Sequence, residues 1–327
     1  VTSFTEQAPA KLNLYLHVTG KRDDGYHTLD SLVAFADFGD KITVESCEGL
    51  RLSITGPYSV QVPSGPDNLV LKAAHLLAEK SGVEANAHII LEKNLPVASG
   101  IGGGSADAAA TLKALIKLWD LQLADERIHH AADQIGDDKD TQRALGVLFS
   151  SWRDDLDGER MNALALSLGA DVPVCFEGRT VYMGGVGEQL TLAPILPKVW
   201  VVLVNPNIAL STPEVFKARQ GDFSPPAPFF EAPKDAQDLA RQLEMRSNDL
   251  YAPAISLAPE IQDVLKAIET QEGCLLARMS GSGATCFGLF AHPNEARSAC
   301  QSLDQSQPSW WVQMAQLRDA PDEENWL

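Results

Sequence analysis

Cysteine is scarce in this chain and poorly arranged. Cys47, Cys175, Cys274, Cys286 and Cys300 are odd in number and contain no C-x-x-C pair. That pattern argues against a disulfide framework and for incidental thiols in a reducing, cytoplasmic compartment. The seven histidines show no H-E-x-x-H spacing, and His129-His130 stands alone in a polar stretch. No protein-ligated zinc is expected. Long apolar runs are absent as well; with no stretch of about 18 apolar residues, no membrane span is expected. Val1-Thr-Ser-Phe-Thr-Glu-Gln7 has neither the basic-then-apolar order of a secretion signal nor the Arg-rich character of an organelle leader. Positive charge is in deficit: 26 Lys and Arg against 44 Asp and Glu, a formal charge of −18. Phosphate backbones and anionic lipids attract cations, so nucleic acid and membrane surfaces are excluded as partners. A small anionic ligand is not excluded, because backbone N–H groups, one or two lysines and a metal ion suffice to hold it.

What is present is an ordinary globular composition: 327 residues, 45% hydrophobic and 21% charged, enough for two domains. Residues 4–18 alternate, with Leu12, Leu14 and Leu16 on one face and Asn13, Tyr15 and His17 on the other, and read as a strand. Arg22-Asp-Asp-Gly25 is a turn, and short strands are expected at 41–46 and 50–55. Asp67 or Asn68 caps a helix to residue 81, and 87–93 is again a strand. A glycine-rich loop follows, then helix formers over 106–119. Residues 120–162 turn polar and acidic and read as helical pieces with an exposed insertion. Further on, 175–182 reads as a hairpin turning at Gly178, and 199–204 as a buried strand. Helices at 213–219, 235–244, 259–269 and 294–303 and strands at 274–279, 285–290 and 310–316 complete an α/β rhythm. Residues 223–230 form a Pro-rich surface loop, and the acidic tail from Arg318 is loosely held.

The strongest signal is Leu95-Pro-Val-Ala-Ser-Gly-Ile-Gly-Gly-Gly-Ser-Ala106, lying between a strand and a helix N-terminus. Gly100, Gly102, Gly103 and Gly104 allow N–H groups to converge without Cβ obstruction, and the helix adds its positive end. Together they suit a phosphate, with Ser105 placed to donate to it or to ligate Mg²⁺. A flexible turn has the same composition. The G-x-x-x-x-G-K-[ST] pattern is absent, and Ser105 stands where the third glycine of G-x-G-x-x-G belongs, which counts against a dehydrogenase.

With Pro9-Ala-Lys-Leu-Asn-Leu14 before it and Met279-Ser-Gly-Ser-Gly-Ala284 after it, the chain resembles the galacto-, homoserine, mevalonate and phosphomevalonate (GHMP) kinase superfamily. Gly20-Lys-Arg-Asp-Asp-Gly-Tyr-His-Thr-Leu29, Leu168-Gly-Ala-Asp-Val-Pro173 and the segment from Asn205 to Phe216 resemble the diphosphocytidyl-methylerythritol kinases within it. The resemblance runs from about Pro9 to Phe290 and departs at Asn205, where relatives often carry His. It implies a small-molecule kinase of the non-mevalonate isoprenoid route that takes ATP, Mg²⁺ and a cytidylylated methylerythritol. It implies an α+β, two-domain fold: a nucleotide domain like the second domain of ribosomal protein S5 over residues 1–190, and a ferredoxin-like, substrate-side domain over 191–327.

The resemblance assigns ATP binding to Pro96, Val97, Ala98, Ser99, Gly100, Ile101, Gly102, Gly103, Gly104, Ser105 and Ala106. It makes Ser280, Gly281, Ser282 and Gly283 a supporting glycine loop. Asp171 is expected as the base and Lys11 as its cationic partner; a carboxylate beside an ammonium keeps both charged. As bare residue types, Asp171 equally suits a turn cap before Pro173, and Lys11 a solvated strand position. Asn13, Tyr26, His27 and Phe216 are expected at the substrate, the aromatic rings stacking on the base. Mevalonate or homoserine kinase is the near alternative, and a non-catalytic nucleotide or sugar sensor on the same scaffold the distant one.

Overall fold

The structure, a computed structural model, describes residues 2–121 and 156–318. Most of the polar stretch expected as an insertion, His129-His130, and the acidic tail beyond Arg318 lie outside the described residues.

Among the described residues, β1 (Ser3–Lys21), β2 (His27–Glu45), β3 (Leu50–Thr55), β4 (Ala87–Glu92), β5 (Val181–Gly185) and β6 (Gln189–Leu192) make one sheet. Its spine is β2, with β1 antiparallel along one edge and β4 and β5 sharing the other. Packed on it are α1 (Leu69–Ser81), α2 (Gly103–Leu118), α3 (Leu156–Leu168) and α4 (Val172–Glu177). Asn68 caps α1 by accepting the Val70 amide.

The second sheet is antiparallel in the order β10-β7-β9-β8, from β7 (Trp200–Asn205), β8 (Cys274–Met279), β9 (Cys286–Phe290) and β10 (Trp311–Gln316). Helices α5 (Thr212–Ala218), α6 (Ala236–Glu244), α7 (Tyr251–Leu257) and α8 (Glu260–Glu269) connect β7 to β8, and α9 (Pro293–Ser306) connects β9 to β10. That is the β-α-β-β-α-β course of a ferredoxin-like sandwich. No described helix is long and apolar enough to cross a membrane.

The sheets face each other. Leu12, Leu14, Tyr15 and Leu32 of the first meet Val201, Leu203, Phe287 and Leu289 of the second in one buried cluster. Val202 and Val204 of the same β7 face the opposite way, onto α7–α9. A strand buried on both faces reads as an unbroken apolar run, which is how 199–204 looks in sequence.

Three expectations are corrected. The leucines of β1 do not share one face: a register irregularity between Asn13 and Tyr15 puts Tyr15 in the cluster of Leu12 and Leu14 and turns Leu16 to the other side. The short strand at 41–46 is the end of a 19-residue strand that starts at His27. Leu32, Val33, Ala34, Phe35 and Ala36 are all buried, so no alternation marks the first part of it. The hairpin at 175–182 does not form: Val172–Glu177 is helix α4, with Pro173 in its first turn and Gly178 closing it at φ 70°. The hairpin lies further on, between β5 and β6. Helix α7 was not expected, because Pro253 interrupts its pattern; the proline falls in the first turn, where no N–H is required.

Candidate active site

The glycine loop crosses between the sheets, and its carbonyls at 98–102 are engaged. Ala98 O accepts from Leu210 N (3.2 Å), Ser99 O from Thr285 N (3.0 Å) and Ile101 O from Lys11 N (2.9 Å). Gly100 O accepts from Ser280 Oγ at 3.2 Å, and Gly102 O from Ala106 N at 2.8 Å. In a trans peptide the N–H points opposite the preceding carbonyl, so the amides of 99–102 turn away from these supports. Gly102 caps α2 at φ 67°, and the first-turn amides of Gly103, Gly104 and Ser105 have no intrahelical acceptor. The stretch therefore offers donors and a helix dipole rather than acceptors, as an anion requires.

A cavity of about 540 Å³ opens over this loop, lined by Pro96–Gly100 and 102–105, by Lys11, Asn13 and Asp171, and by Thr212, Phe216 and Ser282. Ile101 and Ala106 turn their side chains into the core. Lys11 Nζ lies 2.8 Å from Asp171 Oδ2, the lysine only 4% exposed and the aspartate 35%. A Cβ on Gly102 would sit 3.1 Å from Lys11 Cβ, so the pair abuts the loop. Buried Cys175 lies beside it, its thiol pushed up by burial and by Asp171.

Asn13 is fully buried; its Nδ2 donates to Ser31 Oγ at 2.8 Å, and its Oδ1 has no partner among the described residues. His27 stacks on Phe216, with ring centroids 5.1 Å apart and planes at 22°. Burial, then Lys21 and Arg219, lower the His27 pKa and keep the imidazole neutral. Tyr26 is 65% exposed; neither it nor His27 lines the cavity, which Phe216 reaches directly and His27 only through its stack on Phe216. Ser280 is fully buried, and Ser282 Oγ lies 2.7 Å from Thr212 Oγ1. Gly281 and Gly283 press on Gly100, whose Cβ position is 2.5 Å from Gly283 O. Asn205 donates to Thr285 Oγ1 (2.8 Å) and accepts from Asn207 N (2.7 Å), away from the cavity.

The region 68–142 matches the GHMP kinases N terminal domain and 229–308 the GHMP kinases C terminal model. A 4-diphosphocytidyl-2-C-methyl-D-erythritol kinase of Paramagnetospirillum magneticum is 50% identical over 317 residues, 97% of this chain and 99% of that one. The chain belongs to the 4-diphosphocytidyl-2-C-methyl-D-erythritol kinase family. A relative of that name from Rhodospirillum rubrum is 46% identical over 96% of this chain and 93% of its own length. Among solved structures, a 4-(cytidine 5'-diphospho)-2C-methyl-D-erythritol kinase superposes with a TM-score of 0.71 at 33% identity, covering 96% of this chain and 99% of that one. A homoserine kinase from Cytophaga hutchinsonii, at 16% identity and a TM-score of 0.66 over 97% and 95% of the two chains, shares the fold.

Sequence reasoning missed what stands behind the loop in this family member. Lys93 Nζ bridges Asp40 (2.5 Å) and Asp107 (2.7 Å), all three buried. Asp40 also accepts from Asn94 N (2.6 Å) and Leu95 N (2.8 Å), so the cluster grips the loop's entry and, through Asp107 of α2, its exit. Burial and neighbouring Asp40 push Asp107 up to about 8 against the pull of Lys93. Nothing local distinguishes these residues; Asp40 and Lys93 are 53 residues apart.

Proposed function

We propose that this chain transfers the γ-phosphoryl group of ATP to the 2-hydroxyl of 4-diphosphocytidyl-2-C-methyl-D-erythritol, giving ADP and the 2-phosphate. The observation that carries this reading is the Lys11–Asp171 pair, 2.8 Å apart, on the wall of the cavity that the glycine loop lines. Phosphoryl transfer asks for position and charge neutralisation rather than covalent help. Asp171 takes the proton of the attacking hydroxyl as its oxygen bonds to the γ-phosphorus and the bond to ADP breaks. Lys11 orients Asp171 and draws charge from the transferring group. The amides of 99–105 hold the nucleotide's phosphates. Asn13 offers its unpaired oxygen to the alcohol, and His27 with Phe216 supplies the flat surface for cytosine.

Magnesium fits this arrangement as a companion of the nucleotide. Ser105 lines the cavity at the helix start, while Asp40 and Asp107 are already engaged by Lys93. When bound, the ion neutralises phosphate charge, with Ser105 as its protein ligand. In the same reading residues 1–190 form the nucleotide side and 191–327 the substrate side, and the reaction runs in a bacterial cytoplasm.

The test is a coupled ADP-release assay on the cytidylylated alcohol, mevalonate and homoserine, run beside Asp171→Ala. Turnover is expected with the first alone and is expected to vanish in the variant. Phosphorylation of mevalonate or homoserine with none of the cytidylylated alcohol would overturn the assignment.

A further inference from the structure

Of the donors that pin the loop's carbonyls at 98–101, one is a side chain: Ser280 Oγ, on Gly100 O. The same oxygen accepts the Asn13 amide at 3.1 Å and so ties the loop to the strand that carries Lys11. Ser280 is itself presented by a turn that another side chain holds. Asn248 Nδ2 donates to Met279 O and to Gly281 O, each at 2.8 Å, and its Oδ1 accepts from Leu250 N at 2.9 Å. Two carbonyls on one side and an N–H on the other fix the carboxamide's orientation. Asn248 is anchored in turn, since Leu16 N donates to Ser247 O (3.0 Å) and Asp249 N to Leu16 O (2.8 Å). Neither Asn248 nor Ser280 lines the cavity.

We propose that Asn248 is a positioning residue for the nucleotide, acting through Ser280. It draws the carbonyls on either side of Ser280 toward itself, which aims the hydroxyl at Gly100 O and keeps the Gly100–Ile101 peptide with its N–H toward the phosphates. Gly100, at φ 76°, has little intrinsic resistance to turning that peptide over. Once turned, the peptide presents a carbonyl oxygen to an anion. The inference rests on the phosphate-binding reading of the loop and adds a residue from the opposite half of the chain to it.

Calorimetric titration with ADP, paired with the KM for the cytidylylated alcohol, tests the relay. Asn248→Asp keeps the shape and replaces both donors by an oxygen facing two carbonyls; Asn248→Ala is the uncharged second variant, and Ser280→Ala removes one oxygen. Each is expected to weaken ADP roughly five- to twentyfold, with the alcohol's KM within about twofold. Ser280→Thr restores ADP affinity, and the Asn248→Ala/Ser280→Ala pair is no weaker than the worse single variant, because both act on one link. ADP affinity unchanged in the variants, parallel weakening of ADP and alcohol, or full additivity overturns the relay alone. A wild-type protein that binds no ADP overturns the relay and the phosphate reading together.

Discussion

Lys11 and Asp171 meet at 2.8 Å from unequal positions: the ammonium is buried in the wall, and the carboxylate keeps 35% of its side chain open toward the cavity. A positioned general base is worth about 10²–10⁴-fold in rate. Asp171→Asn is therefore expected to lower kcat by that order while ADP affinity, read by calorimetry, stays within about twofold. Lys11→Met keeps the buried stem and removes the charge. It is expected to cost kcat by a similar order, because the neighbouring carboxylate survives but loses its orienting partner. Comparable kcat in either variant and wild type, in the coupled assay, would remove the pair from the chemistry.

The glycines of the loop are not equivalent, and two substitutions separate fold from ligand. Gly100 combines φ 76° with a Cβ position 2.5 Å from Gly283 O, so Gly100→Ala meets backbone and strain at once. It is expected to lower stability by about 1–3 kcal/mol and to weaken ADP with it. Among the described residues, a Cβ on Gly104 would meet only Leu69 Cδ1, at 3.6 Å. Gly104→Ala is expected to leave the thermal midpoint nearly unchanged and still weaken ADP, since on the proposed reading of the loop its methyl would stand in the path of the phosphates. A Gly104→Ala protein that binds ADP as tightly as wild type would place the phosphates elsewhere.

Much of this site was legible because its parts are local. The glycine run, Lys11 two residues after Pro9, and Asp171 beside Pro173 each announce themselves within a dozen residues, and the structure gathers them at one cavity. The Lys93–Asp40–Asp107 cluster and Asn248 were illegible for the opposite reason. Each is an ordinary polar residue whose meaning lies in partners 14 to 53 residues away, on other elements. The fold divides in the same way. A short run of β-formers such as β4 stands out, whereas the first part of β2 is buried on both faces and hides. Tyr26 shows the limit of adjacency: it follows Gly25 directly and precedes His27, yet only His27 turns toward Phe216.

The His27–Phe216 stack predicts a separation of the two substrates. Phe216→Ala removes one ring face and is expected to raise the KM for the cytidylylated alcohol about three- to tenfold, with the KM for ATP within about twofold. The pH dependence has a definite sign. Burial, Lys21 and Arg219 hold the folded His27 below the ordinary value of 6.5, so the unfolded chain takes up this proton first. Stability from this group is accordingly full above pH 6.5 and declines as pH falls through 6.5 toward the lowered folded value. The alcohol's KM is expected to stay flat from pH 8 down past 6.5 and to rise only below, where the stacked imidazole becomes charged. A KM that climbs on the alkaline side of 6.5 would take His27 out of the substrate subsite.

The buried cluster behind the loop sets two carboxyl groups on one ammonium, and because Asp107 is pushed up to about 8 and so largely protonated at neutral pH, its substitutions are asymmetric. Lys93→Met leaves Asp40 and Asp107 facing each other without a cation, and breaking a buried pair in this way costs about 3–5 kcal/mol. Asp107→Asn replaces a carboxyl that, pushed up to about 8, is already largely uncharged at neutral pH; it keeps an oxygen to accept from Lys93 and leaves the Lys93–Asp40 pair intact. Its stability is expected within about 1 kcal/mol of wild type in urea unfolding. Because Asp40 also holds the amides of Asn94 and Leu95, Lys93→Met is expected to loosen the loop's entry and weaken ADP, whereas Asp107→Asn leaves ADP affinity near wild type. Equal destabilisation by the two variants would mean that the two carboxylates are not sharing one charge.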